Sequence, residues 1–393
     1  MSKGLRLIVL GEMGHIPYPG MAWELLQYLE GFRRLGHDVW YVEDTNSWGY
    51  DPEQDATTPD CPYAVKYVAR HMEWAGMSDR WAYRAAEPDG RVFGMSESKF
   101  KELFQNADVL INHAAATVLR GEHLAVPVRL LLETDPGIDE ILAAKGDPEM
   151  LSMLHGHTHF STWAENYRAS DCLLPIVPFG YFPTRMPVIL DWFRSPPVPS
   201  NGRGARPLRF TTIGHWRQSG QESWNGETYF YSKHPQFLKF VDLPNRIAHI
   251  VELALGSPDE DTIQVFAERG WHVVDSAPFG CEMYPFRDYI IGSDGEFTVA
   301  KDVYARLRTG WFSDRSSYYL TAGRPVITQD TGFGAILPTG EGLFAFNTLE
   351  DIETAFDSVN SDYARHSRAA RDIAVKHFRA ETVLARLLRD LGY

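Results

Sequence analysis

Ser313-Asp314-Arg315-Ser316-Ser317 is the group of residues whose types and spacing most invite chemistry. Where a helix begins at such a run, free backbone N–H groups, hydroxyls and a guanidinium can converge on an anion such as a diphosphate. An ordinary helix cap with a surface arginine uses the same residues. Sixteen residues beyond Asp314, Asp330-Thr331-Gly332-Phe333-Gly334 closes the stretch, and its glycines allow backbone to approach a ligand closely. Other cations that could offset the charge of a diphosphate are Arg217 (in Gly214-His215-Trp216-Arg217), Lys233 and Lys301. For Lys301, as for Arg315, a solvated surface charge is the competing reading. Trp311 or Phe312 could stack on a base or pack a core.

Proton transfer has three candidates. His15 lies in Gly11-x-x-Gly14-His15, and imidazole titrates near neutral pH, so it could take a proton from a hydroxyl or merely hydrogen-bond its loop. Asp135, in Glu133-Thr134-Asp135-Pro136-Gly137, and His113, after the apolar run 109–112, stand where strands would end. Asp-Pro-Gly also suits a turn with a cap. Glu165 and Asn166 form a polar pair among aromatics. His155-x-His157-x-His159 would share one face of a strand, but Gly156 and Thr158 favour a loop, and no metal site is expected.

The elements that must position these residues alternate between strand and helix. Residues 5–10 read as a buried strand, and Trp23, Leu26, Leu29, Phe32 and Leu35 recur at helical spacing up to Gly36. Residues 38–42 are the next strand, which completes a βαβ unit of a doubly wound sheet. The glycines at 11 and 14 lack the third glycine of a dinucleotide fingerprint. Runs 109–112, 129–133 and 173–177 are further strand candidates, and 46–95 is expected to leave the sheet as a wall or lid. Residues 194–207, rich in Pro, Gly and Ser, read as a linker. A second α/β series follows, with strands at 208–213, 249–255 and 271–274 and a helix at 259–269. A short helix then ends at Gly323-Arg324-Pro325 before the β-branched strand 326–328. Helical spacing returns over 361–390.

Helix-Gly-Arg-Pro-Val-strand-Asp-Thr-Gly resembles the nucleotide-sugar-binding segment of GT-B glycosyltransferases of the group 1-like kind. Members often read Glu-Ala-x-x-x-Gly-x-Pro-Val there, and this chain has Tyr318 where the glutamate that commonly holds the donor ribose would stand. The resemblance implies two Rossmann-like doubly wound domains facing a cleft, with an acceptor domain over 1–193 and a donor domain over 208–375. It implies a C-terminal helix, 376–393, that crosses back to the first domain. It also implies transfer of a sugar from a nucleotide sugar, UDP- or GDP-linked, to an acceptor hydroxyl, with no bound metal. On that basis Gly214, Arg217, Lys301, Ser313, Asp314, Arg315, Ser316, Asp330, Thr331 and Gly332 are the expected donor site. His15, Asp135 and His113 are the expected catalytic residues, and an Arg315→Ala change is expected to leave folding intact.

Bulk properties narrow the alternatives. The chain's 393 residues suggest two domains. Three scattered cysteines give neither a disulfide framework nor a zinc knuckle, and with no signal-like start a cytoplasmic location is expected. The formal charge of −14 opposes a nucleic-acid partner and leaves a small-molecule or glycan acceptor. Rival readings are a nucleotide-sugar epimerase, a glycosyltransferase acting on modified DNA bases, and a non-catalytic sugar-binding protein.

Overall fold

A computed structural model describes residues 4–196, 206–256, 258–279 and 282–393. Residues 197–205 of the expected linker lie outside the described residues, as does Cys281.

Two parallel sheets organise the chain. The first runs, edge to edge, Tyr181–Pro183, His159–Thr162, Val128–Glu133, Val109–His113, Arg6–Leu10, Asp38–Glu43, Trp81–Arg84 and Val92–Phe93, and only the last pairing is antiparallel. Leu7 to Leu10 are wholly buried, as expected for a central parallel strand covered on both faces. The second sheet runs His272–Asp275, Ile250–Gly256, Arg209–His215, Gly295–Thr298, Val326–Gln329 and Leu343–Phe346, all parallel. The helix Pro19–Arg34 begins with proline in its first turn and ends with Arg33 and Arg34 near its carbonyl end, both favourable for a helix.

Two expectations need correction. Segment 46–95 does not simply leave the sheet: its hairpin Gly49–Asp51/Ala56–Thr58 forms a wall, but Trp81–Arg84 rejoins the sheet beside Asp38–Glu43. Residues 173–177 are not a strand. Pro175 has no N–H to give a ladder, and the Leu173 N–H instead donates to the Leu307 carbonyl of the second domain at 2.8 Å.

The terminal helices Tyr363–His377 and Ala380–Asp390 break at Phe378-Arg379. The second helix crosses back to the first domain, where Leu384 packs against Gly31 of the helix Pro19–Arg34. At the break, Val188 pairs with Arg379. Among the described residues, no helix is long and apolar enough to cross a membrane.

The domains also touch directly. The Trp23 indole N–H donates to the Met283 carbonyl at 3.0 Å and that of Trp74 to the Tyr284 hydroxyl at 2.6 Å. Gly310 has φ of +81°, and a Cβ there would fall 2.4 Å from the Asn166 backbone nitrogen of the first domain. Gly310→Ala therefore adds left-handed strain to a clash with backbone that cannot rotate away. It is expected to destabilise the protein by roughly 2–5 kcal/mol in chemical denaturation.

Candidate functional site

The C-terminal edges of the two sheets face each other across a cavity of about 520 Å³, a volume suited to a small-molecule ligand. The doubly wound order requires this placement, because loops leaving the strands' carboxyl ends open into the crevice. The first domain contributes Tyr18 to Met21, Glu24, Tyr50, Pro52 and Asp135. The second contributes Gly214, His215, Lys233, Gly256, Asp275 to Ala277, Lys301, Trp311 and Ser313 to Arg315.

Asp135 and Lys301 meet across this cleft, Nζ to Oδ1, at 3.0 Å. The Tyr304 hydroxyl donates to the same carboxylate oxygen, and the Lys301 ammonium lies 3.4 Å from the Tyr231 ring centroid. Burial works against the charge of Asp135, but Lys301, Tyr304 and Tyr231 outweigh it and hold the carboxyl below its usual 3.8. Lys301 is also pulled down, because its burial exceeds what Asp135 restores. Asp135 is therefore a committed ion-pair partner and poorly suited to accept a proton.

Arg315 is buried beneath the cavity. Its Nε donates to Glu296 Oε1 at 2.8 Å, Nη1 to the Ile213 carbonyl at 2.6 Å and Nη2 to Thr298 Oγ1 at 3.2 Å. Three of its five N–H donors are thus engaged within the domain, and Glu296 offsets its charge. Lys233 differs. It lines the cavity beside Arg315, and its ammonium has no hydrogen bond or ion pair among the described residues. Burial first, then the charges of Arg315 and Lys301, push its pKa well below 10.5. Such an ammonium would gain most from an anion placed next to it.

On the opposite wall Glu24 reaches into the cavity, and its Oε1 lies 2.9 Å from His113 Nε2. Burial raises the Glu24 pKa above 4.5, with His113 opposing and Asp314 and Asp135 assisting. Glu12, nearby, is raised to about 7, again chiefly by burial.

Of the expected site residues, the structure brings Asp135, Gly214, Lys301, Ser313, Asp314 and Arg315 to the cavity, with His113 behind Glu24. His15 is not in the lining. Its N–H donates to Glu43 Oε1 at 2.5 Å, its carbonyl accepts from Tyr50 at 3.0 Å, and the wall hairpin packs on it. Arg217 is 63 % exposed and faces Asp259 at 3.7 Å. Ser316 is fully buried in its helix, away from the lining. Asp330 caps its own loop through the N–H groups of Gly332 and Gly334, at 3.0 and 3.2 Å, and pairs with Arg308. Thr331 donates to the Trp311 carbonyl at 2.6 Å, and Gly332 abuts Asn166. The 330–332 loop thus builds the domain contact.

Asn166 belongs to that contact, donating to the Arg308 carbonyl at 2.9 Å, and Glu165 is held by Arg185 at 2.5 and 3.0 Å. His155 ends a helix, His157 lies in a turn bonded to Met153 and Asn112, and His159 begins a strand, so the three do not converge. Trp311 donates to the Thr134 carbonyl at 2.9 Å while lining the cavity, and Phe312 packs on Phe333 and Phe378. Tyr318 is buried and stacks on Phe193, with centroids 4.2 Å apart and planes 2° from parallel.

Glu24 was missed from sequence. Its one signal is a carboxylate in the first turns of a helix that buries aromatic and aliphatic residues on most sides. The Asp275-Ser276-Ala277 loop carried no motif.

No protein-family model and no curated protein matches the chain. Solved structures do. A glycosyltransferase involved in avilamycin A biosynthesis, AviGT4, is 13 % identical over 98 % of this chain and 96 % of its own, with a TM-score of 0.54. An alpha-glucosyltransferase in complex with UDP and a 13-mer DNA containing a HMU base is 10 % identical over the full length of both chains, with a TM-score of 0.59. Anabaena HepE in complex with UDP-glucose is 11 % identical over 99 % of each chain, with a TM-score of 0.55. Whole-chain coverage by such structures, together with two facing parallel sheets and a helix that returns to the first domain, shows that this chain has the GT-B glycosyltransferase fold.

Proposed function

We propose that this protein transfers a sugar from a nucleoside-diphosphate sugar to an acceptor hydroxyl inside the cleft. The observation that supports it best is the arrangement of charge across the cavity. An unpartnered Lys233 stands beside Arg315 and the start of the helix Asp314–Thr321, opposite the Glu24–His113 pair. Lys233 and the free N–H groups of that helix start receive the diphosphate, so protein cations rather than a bound metal offset its charge. Asp314 accepts from sugar hydroxyls, and the base lies against His215, Gly256 and the 275–277 loop.

The acceptor oxygen attacks the anomeric carbon, and the bond to the diphosphate oxygen breaks with its electron pair leaving on the diphosphate. Glu24 takes the acceptor's proton, and the neighbouring His113 Nε2 orients the carboxylate. UDP is the first nucleotide to try, since two of the similar structures were solved with UDP or UDP-glucose. A net charge of −14 gives no support to a nucleic-acid acceptor. The test is a panel of UDP-, GDP-, dTDP- and ADP-sugars, each with and without small-molecule and glycan acceptors. Acceptor-dependent release of nucleotide is expected. Conversion of donor alone into an epimer, or no binding of any donor by folded protein, would overturn the reading.

Three variants separate the parts. Lys233→Ala should keep its fold, having no partner to lose, and weaken UDP binding by roughly 10–150-fold in calorimetry, the range for a charge-assisted contact. Arg315→Ala now carries a different expectation from a simple ligand contact. It strands Glu296 as a buried charge and should cost roughly 3–5 kcal/mol in denaturation. Glu24→Gln should slow turnover by roughly 10²–10⁴ with UDP affinity unchanged. A base acts only when ionised, and the folded pKa of Glu24 is raised. The acid limb of kcat/KM should therefore inflect above 4.5 in the parent and vanish in the variant. An inflection at or below 4.5 would remove Glu24 from this role.

A further inference from the structure

A second cavity, of about 170 Å³, lies where the terminal helices cross the first domain, and it shares no lining residue with the cleft. Glu165 and Arg185 come from the first domain, Lys376 and His377 from the end of the helix Tyr363–His377, and Thr382 and Arg386 from the helix Ala380–Asp390. Three permanent cations thus face one carboxylate, in a chain whose net charge is −14. The carboxylate is already satisfied, because Arg185 grips Glu165 through Nε and Nη2 at 3.0 and 2.5 Å.

The remaining charge is unspent. The Lys376 ammonium has no ion pair or hydrogen bond among the described residues, and the Arg386 guanidinium has only Asp390, one turn along its own helix, at 3.7 Å. His377 Nε2 is buried with no hydrogen-bond partner among the described residues. Burial, with the charges of Arg185 and Lys376, holds the His377 pKa below 6.5, so the ring is neutral and its free nitrogen faces a positive field. Thr382 adds a hydroxyl from the first turn of its helix.

We propose that this cavity is a binding site for a small phosphate-bearing anion, either inorganic phosphate or a phosphomonoester. A tetrahedral dianion matches the chemistry. Lys376 and Arg386 supply charge-assisted donors, and His377 and Thr382 supply neutral partners. The cavity, of about 170 Å³, has room for one phosphoryl group. Because its walls come from the first domain and from both terminal helices, the bound anion would clamp the crossing at which Val188 pairs with Arg379.

The test titrates inorganic phosphate into the full chain and follows Tm, against chloride at matched ionic strength. Four proteins are compared: the parent, Lys376→Gln, Arg386→Gln and Lys233→Ala, the last reporting phosphate that occupies the cleft instead. The expected result is a saturable rise of roughly 1–3 °C in the parent and in Lys233→Ala, shifted to higher phosphate in each glutamine variant. Both glutamine changes fall on exposed side chains without essential partners, so their Tm in chloride should match the parent. No rise beyond the chloride control overturns the proposal. So does a rise unaffected by either glutamine change, and so does one lost in Lys233→Ala.

Discussion

The contact between Asp135 and Lys301 joins the two halves where their sheets' carboxyl ends meet, and most of the site's geometry follows from it. Asp135 stands just past the strand Val128–Glu133, and Lys301 just past the strand Gly295–Thr298. Their pairing sets how near the two edges come, and the residues around it reinforce the same spacing. Tyr304 shares the carboxylate, Trp311 reaches the Thr134 carbonyl, and Gly310 lets the chain pass against Asn166 without a side chain between them. Burial disfavours both charges, and at Asp135 the attraction of Lys301, followed by the hydrogen bonds of Tyr304 and Tyr231, outweighs it.

That commitment divides the cations of the cleft by task. Lys301 is bound to Asp135 and Arg315 to Glu296, so each is neutralised by an acid of this chain. Lys233 is not, and its neighbours are the very cations that depress its pKa. The two pairs therefore frame Lys233 and keep it in a positive field. Preorganised charge of this kind costs little reorganisation when an anion arrives. Glu43 does the same for backbone on the other side, where it accepts from the Gly14 and His15 N–H groups and so fixes the loop above it.

The fold was largely legible because its signals are local. Continuous apolar runs gave the central parallel strands, the spacing from Trp23 to Leu35 gave the first helix, and Gly323-Arg324-Pro325 marked a helix end before a buried strand. The strand Trp81–Arg84 was illegible, since its partner strand Asp38–Glu43 lies some forty residues earlier and the hairpin between them reads as loop. The site was legible only to the level of its segments. Nothing in Ser313-Asp314-Arg315 says that the guanidinium turns inward to Glu296, nor in Gly14-His15 that a hairpin from residues 49–58 will pack against the His15 backbone. Asp330 and Asn166 look like site residues for the same reason: a polar group at a strand end serves equally well in a domain contact.

Tyr318 illustrates how one such difference reshapes a site. In the segment that this chain resembles, a glutamate at this position commonly holds the donor ribose. Here the side chain is buried flat against Phe193, in the segment leading to the interdomain linker. A carboxylate in that apolar slot would have to shed its hydration without a cation to replace it, whereas the ring gains stacking and burial. The tyrosine is therefore a packing residue that ties the helix Asp314–Thr321 to the first domain. If a ribose enters the cleft, its hydroxyls must meet the polar groups that do line it, and Asp275 and Ser276 stand on the second domain's side with His215. Under the proposed function, a ribose contact would come from the ends of neighbouring strands, which the doubly wound sheet directs into the same crevice.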